Sequence, residues 1–185
     1  MLNIKFQKGF TLIELLVVIS IIGMLSGIVM VSLQGVRGKA RDAKRLNDMN
    51  EIVKGIHFYY DKYGQLPAAD ADSCCDGWNQ APCKADTNHT FINILKTSGV
   101  MGSVPDDPGG KPAGYADADC YGYAYYIYPA GSYGCNVNRG SFFVLGIRDM
   151  ETSTGTYLGS PGFNCTGRNW QGEFEWVTGG YETDF

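Results

Sequence analysis

The sequence predicts an α+β fold: one long N-terminal helix, first transmembrane and then amphipathic, packed on a small antiparallel sheet that disulfides tie together. Three observations lead there. Phe10 to Leu33 is an apolar run whose only charge is Glu14. Beyond it the apolar residues Ala40, Ala43, Leu46, Met49, Val53, Ile56, Tyr60 and Tyr63 recur every three or four positions, which is one face of a helix. After Gly64 the periodicity changes to short aromatic and alternating segments, and all six cysteines lie there.

Residues 1–9 are short and polar, with Lys5 and Lys8 as their charges, and read as a leader. Residues 10–34 are long enough for a bilayer, which needs about 20 apolar residues in a helix. An acidic residue inside such a segment costs roughly 2.5–3.5 kcal/mol, so Glu14 is expected to have a cationic partner. Residues 35–63 form the amphipathic half of the same helix, with Gly64 as its cap and Pro67 as a stop. Phe10 to Tyr63 as one helix would run about 80 Å at 1.5 Å per residue.

Residues 64–185 read as one modest domain. Gln65 to Pro82 and Gly99 to Gly114 have loop composition, and Phe91 to Lys96 is a candidate short helix capped by Thr87 or Asn88. Tyr121 to Tyr128, Ser141 to Ile147 and Glu173 to Thr178 carry strand patterns, the first two joined as a hairpin through Pro129 to Gly140. An antiparallel sheet would cover the stripe on the long helix.

Cys74, Cys75, Cys83, Cys120, Cys135 and Cys165 are even in number, and the chain has only two histidines, so disulfides in an oxidising compartment account for them better than zinc. Six cysteines allow 15 pairings. Cys120 and Cys135 flank one apparent strand and its turn and form the favoured pair.

An ordinary secretory leader places its cleavage site after the apolar core. Here the small residue, Gly9, precedes it. The run KGFTLIELLVVISIIGML, Lys8 to Leu25, resembles the processing site of type IV prepilins and of the pseudopilins of type II secretion. The resemblance implies that a prepilin peptidase cuts between Gly9 and Phe10, that Phe10 is N-methylated, and that Glu14 faces the Phe10 amine of a neighbouring subunit in a helical homo-oligomer. It further implies a single-pass precursor in the cytoplasmic membrane with its C-terminal domain outside, an assembly platform with its ATPase as partners, and an extracellular pilus as the product. Ser20, Gly23, Ser26 and Gly27 would let such helices approach closely. The segment from Ala40 to Pro67 and, more faintly, Val104 to Pro108 resemble the same families, whereas the residues after Ser153 do not.

The implied function is that of a pilin, with the major pseudopilin of a type II secretion system as the second reading. A membrane-anchored extracytoplasmic binding protein is a third reading of another class. No enzyme is expected, since His57 and His89 sit in no nucleophile or metal motif. No metal site or cofactor is expected either, although loop carboxylates (Asp70 with Asp72, Asp106 with Asp107, Asp117 with Asp119) leave room for calcium, which major pseudopilins carry. Arg37, Lys39, Arg41, Lys44 and Arg45 read as a solvated basic helix face. The formal charge of −4 argues against nucleic acid as a partner. Asn88 and Asn164 head glycosylation-like triplets that turn and capping roles explain equally well.

Overall fold

The computed structural model describes residues 10–69, 78–81, 91–109, 122–153 and 155–185, without the side chains of 29–34 and 81. Helix α1 runs Leu12–Tyr63 and ends where Gly64 turns left-handed at φ 67° and donates its N–H to the Tyr60 carbonyl at 2.7 Å. The chain divides into one unit that ends at Gly38 and a second that spans Lys39–Phe185.

The second unit holds the sheet. Its four antiparallel strands are β1 (Asn79–Ala81), β2 (Tyr123–Tyr128), β3 (Phe142–Ile147) and, after the two-residue pair β4 (Asn164–Cys165) and β5 (Arg168–Asn169), β6 (Trp176–Tyr181), in the order β1-β2-β3-β6. The expected β2–β3 hairpin forms, with Tyr123 opposite Ile147 and Tyr128 opposite Phe142. The last strand starts at Trp176 and not at Glu173, because Trp170–Gly172 forms a 3-10 turn whose Trp170 carbonyl accepts the N–H groups of both Glu173 and Phe174. The short helix α2 is Asn93–Thr97. Its start is pinned by the Ile92 N–H, which donates to buried Asn79 Oδ1 at 2.6 Å.

Alternation along the strands sends side chains to two faces, and both are covered. Tyr123, Tyr125, Phe143, Leu145, Ile147 and Trp176 meet Met49, Ile52, Ile56 and Tyr59 of α1 together with Leu95 of α2. On the other face Ala124, Tyr128, Phe142, Val144, Val177 and Tyr181 lie under Trp78, Trp170 and Phe174. Three glycines make room for rings on these faces: a Cβ on Gly146 would meet Phe174 at 2.6 Å, one on Gly180 would meet Phe143 at 2.8 Å, and one on Gly179 would meet Phe163 at 2.6 Å and the Phe143 carbonyl oxygen at 2.7 Å.

The buried face of α1 within the second unit departs from the expected stripe. Ala40, Ala43 and Tyr63 are exposed, while Asp42, Arg45 and Asp48 are buried. Arg45 therefore does not belong to a solvated basic face. Its Nε and Nη2 donate to the two oxygens of Asp107 at 2.9 and 2.8 Å, and Nη1 donates to Asp42 at 2.6 Å and Glu151 at 3.1 Å. Asp42 also accepts from the N–H groups of Glu151 and Thr152, each at 2.9 Å, and from the Thr152 hydroxyl at 2.6 Å. Arg41 pairs with Glu151 as well. Gly109, which donates to Asp107 at 2.7 Å, lies so close to the Arg45 guanidinium that a Cβ there would run into it. One arginine thus joins α1 to two loops, 62 and 106 residues further along the chain.

Burial pushes the Asp42 carboxyl up, but the hydrogen bonds from Thr152, Glu151 and Arg45 outweigh it and hold Asp42 below the usual range. Glu151 is lowered by the hydrogen bond from Arg41 against a smaller effect of burial. Asp48 goes the other way: burial raises it, offset only in part by the Tyr123 hydroxyl, which donates to it at 2.8 Å. The two lowered groups stabilise the fold above the ordinary carboxylate range and lose that contribution as pH falls through their folded values. The raised group has the opposite sign, so protonating Asp48 stabilises the fold.

Three outcomes follow for this domain. Gly179→Ala should lower stability by about 1–3 kcal/mol through overpacking. Gly102→Ala, with nothing within 4 Å of the added Cβ, should stay within about 0.5 kcal/mol. Equal denaturant midpoints for the two variants would contradict the packing of Phe163 on the sheet. Arg45→Met should cost about 3–5 kcal/mol, because it leaves Asp42 and Asp107 buried without their counter-ion. Asp48→Asn keeps an acceptor for Tyr123 and should hold or raise the melting temperature at pH 7 while removing the gain on mild acidification. A clear drop at pH 7 would overturn the sign assigned to Asp48.

Candidate functional site

The helix start is a built structure in its own right. Thr11 stands immediately before α1, and Glu14 is in its first turn. One oxygen of the Glu14 carboxylate accepts from the Thr11 backbone N–H at 2.8 Å and from the Thr11 hydroxyl at 2.7 Å, and the Glu14 N–H donates back to that hydroxyl at 3.3 Å. This is a reciprocal capping box, which satisfies donors that a helix start otherwise leaves open. The Thr-x-x-Glu spacing of Thr11 and Glu14 was legible in the sequence. In the single subunit, then, the Glu14 carboxylate is hydrogen-bonded by Thr11 while keeping its charge.

Every described residue from Phe10 to Ile28 is exposed, and Phe10 itself is 88% accessible. Ser20 and Ser26 turn their hydroxyls back onto the carbonyls of Val17 and Ile22 at 2.8 and 2.7 Å, which hides their polarity inside the helix. A Cβ on Gly23 or Gly27 would meet nothing within 4 Å, so these glycines present bare backbone to whatever approaches. Among the described residues no helix is long and apolar enough to cross a membrane. Arg37, Lys39 and Lys44 are exposed, as a solvated basic face requires.

Among the cysteines, Cys135 bonds with Cys165, with Cα atoms 5.0 Å apart, and not with Cys120. The pairing follows from the far face of the sheet, where Cys135 is buried and Cys165 packs against the same cluster. Closing a loop of this length, 30 residues in separation, contributes roughly 3–4 kcal/mol on the chain-entropy model. Cys74, Cys75, Cys83 and Cys120 lie outside the described residues, as do Gly9, Asp70, Asp72, Asp117, Asp119, Asn88 and His89. Among the described residues no group of three or more His, Cys, Asp or Glu side chains is placed to hold a metal. Asp107, one of the carboxylates that left room for calcium, is engaged by Arg45. His57 is exposed with its ring 4.4 Å from that of Phe185, and Asn164 is exposed on β4.

Comparison with known proteins meets the helix start directly. Residues 4–30 match the model of the prokaryotic N-terminal methylation motif. The chain is 28% identical over 106 residues to type II secretion system core protein G of Aeromonas hydrophila, covering 57% of this chain and 70% of that protein. It is 30% identical over 102 residues to fimbrial protein EcpC of Eikenella corrodens, covering 54% of this chain and 61% of the relative. With type IV major fimbrial protein FimA of Dichelobacter nodosus it shares 28% identity over 108 residues, 58% of each chain. No solved structure matches. The described part of the matched motif lies on the exposed, capped helix start, and the chain is similar both to type IV fimbrial proteins and to type II secretion core protein G.

Proposed function

We propose that the chain is a structural subunit, not an enzyme, of a type IV pilus-like filament and that it polymerises through its N-terminal helix. The observation that carries this reading is the stretch from Phe10 to Ile28, apolar and exposed along its whole length behind a capped carboxylate. A surface of that kind is stable in lipid or against other helices, and soluble monomers rarely leave one open. In this reading a prepilin peptidase cuts between Gly9 and Phe10 and the new amine is methylated. The precursor waits in the cytoplasmic membrane as a single-pass protein with residues 64–185 outside. The pilus assembly platform and its ATPase then draw it into the growing filament.

On assembly the Glu14 carboxylate would face the Phe10 amine of the neighbouring subunit, keeping one oxygen on Thr11 and offering the other. The Cys135–Cys165 bond supports an oxidising location for the second unit. The reading needs no cofactor, and calcium at carboxylates outside the described residues is compatible with it. Core protein G relatives support the second reading, a major pseudopilin of type II secretion, as the fimbrial relatives support the first, and the comparisons prefer neither. Long surface filaments point to the first reading and short ones tied to protein export to the second.

Substitution at Glu14 separates the two jobs of its side chain. Glu14→Gln retains an acceptor for the Thr11 N–H but carries no charge, whereas Glu14→Ala removes both and loosens the helix start by about 1 kcal/mol. Both variants should accumulate as oxidised, processed monomers, and both should give few or no filaments by electron microscopy. Filaments of Glu14→Gln at the parental level would show that the charge is not what assembly reads.

A further inference from the structure

Four aromatic rings close around one guanidinium on the face of the sheet turned away from α1. The Arg168 Cζ lies 4.9 Å from the ring centre of Tyr133, 5.3 Å from Trp170, 5.8 Å from Tyr128 and 5.9 Å from Trp78. All four ring centres lie within the roughly 6 Å range of cation–ring attraction, with Tyr128 meeting the cation through its hydroxyl and not its face. Glu173 accepts from Nε and Nη2 at 2.7 Å each, and the Tyr128 hydroxyl accepts from Nη1 at 3.0 Å. The rest of the side chain faces rings and, at the rim, solvent.

The cage is braced from several directions. Tyr133 stands edge-on to Tyr128 at 5.4 Å and to Trp170 at 5.7 Å, and Tyr128 lies 5.3 Å from Trp170. Tyr133 holds a left-handed backbone, φ 52°, which is costly for a side-chain-bearing residue. Its carbonyl accepts the Gly167 N–H at 2.8 Å, and a Cβ on Gly167 would sit 2.9 Å from that oxygen, so the close approach requires glycine. The Cys135–Cys165 bond ties the Tyr133 loop to the β4–β5 hairpin. Trp78 and Trp170 are buried, whereas Tyr133 is 45% exposed and Glu173 is exposed, which gives the cage a wall and an open rim.

Rings on several sides with a single carboxylate at the edge suit a weakly hydrated cation better than a compact ammonium ion. We propose that Trp78, Tyr128, Tyr133 and Trp170, with Glu173 at the rim, form a binding site for an organic cation of the guanidinium or quaternary ammonium class, which the single subunit fills with its own Arg168. The arginine side chain is 22% exposed and hangs on the short hairpin, outside the four-stranded sheet, so it can leave without taking a strand with it. The site is independent of the filament reading, since none of its residues lies on α1.

The test uses the full-length protein in detergent, titrated with choline and with tetramethylammonium, and with potassium as the hydrated-cation control. Tryptophan fluorescence and melting temperature are read for the parent, Arg168→Ala and Arg168→Gln. Both variants should bind the two quaternary ammonium ions saturably and melt higher when they are bound, and potassium should do neither. The parent should respond at least about tenfold more weakly, because the ligand must first displace Arg168. Adding Tyr133→Ala to either variant should remove binding. Should neither variant fold, the ring-shifted Arg168 side-chain NMR signal of the parent should move as choline is added. A folded variant without a saturable response, an equal response in parent and variant, or an unmoved Arg168 signal would each overturn the proposal.

Discussion

One helix has to satisfy two surroundings. From Met49 to Tyr59 it buries Met49, Ile52, Ile56 and Tyr59 against the sheet. From Phe10 to Ile28 every described residue is exposed. Burial of apolar area drives folding at roughly 25 cal/mol per Å², and the same term makes an uncovered apolar helix seek lipid or another helix. The second unit folds around one part of the helix, and the other part is exposed along its described length. The capping box fits this division, since Thr11 and Glu14 satisfy the helix start locally without covering its apolar side chains.

Charge is used in two different ways along the same helix. Near its start, Glu14 is exposed and, among the described residues, hydrogen-bonded to Thr11, which leaves its negative charge open to a cation from outside. At Arg45 the charge is spent inside, on Asp42, Asp107 and Glu151, and the guanidinium fixes two distant loops onto α1. A buried pair of this kind is weak evidence for net stability but is strongly destabilising to break. Arg45 therefore specifies where the loops go more than it deepens the fold. Arg168 repeats the device on the far face, with one carboxylate, Glu173, and aromatic rings around it.

Much of this was legible in the sequence, for reasons that can be named. The long helix shows in its period and its Gly64 stop, and the β2–β3 hairpin shows in aromatic and apolar segments joined by a loop, because these depend on neighbours in sequence. The inner face of α1 at Asp42, Arg45 and Asp48 was not legible, since a buried arginine is tolerable only where carboxylates from residues 107 and 151 reach it. The Cys135–Cys165 pairing was hidden for the same reason: it depends on a distant segment that packs against the far face of the sheet, and local spacing pointed to Cys120. The start of β6 at Trp176 was displaced by the Trp170 turn, whose own signal is weak. At the helix start the processing motif was plain, and the Thr11–Glu14 box was readable from its spacing but lay inside a stretch dominated by hydrophobicity.

The central claim is that the exposed helix start is a processed assembly surface, and its most direct measurement is the mass and N-terminal sequence of subunits taken from purified filaments. The account predicts a chain that begins at Phe10 with a methylated amine. Filaments built from chains that retain Met1 would contradict it.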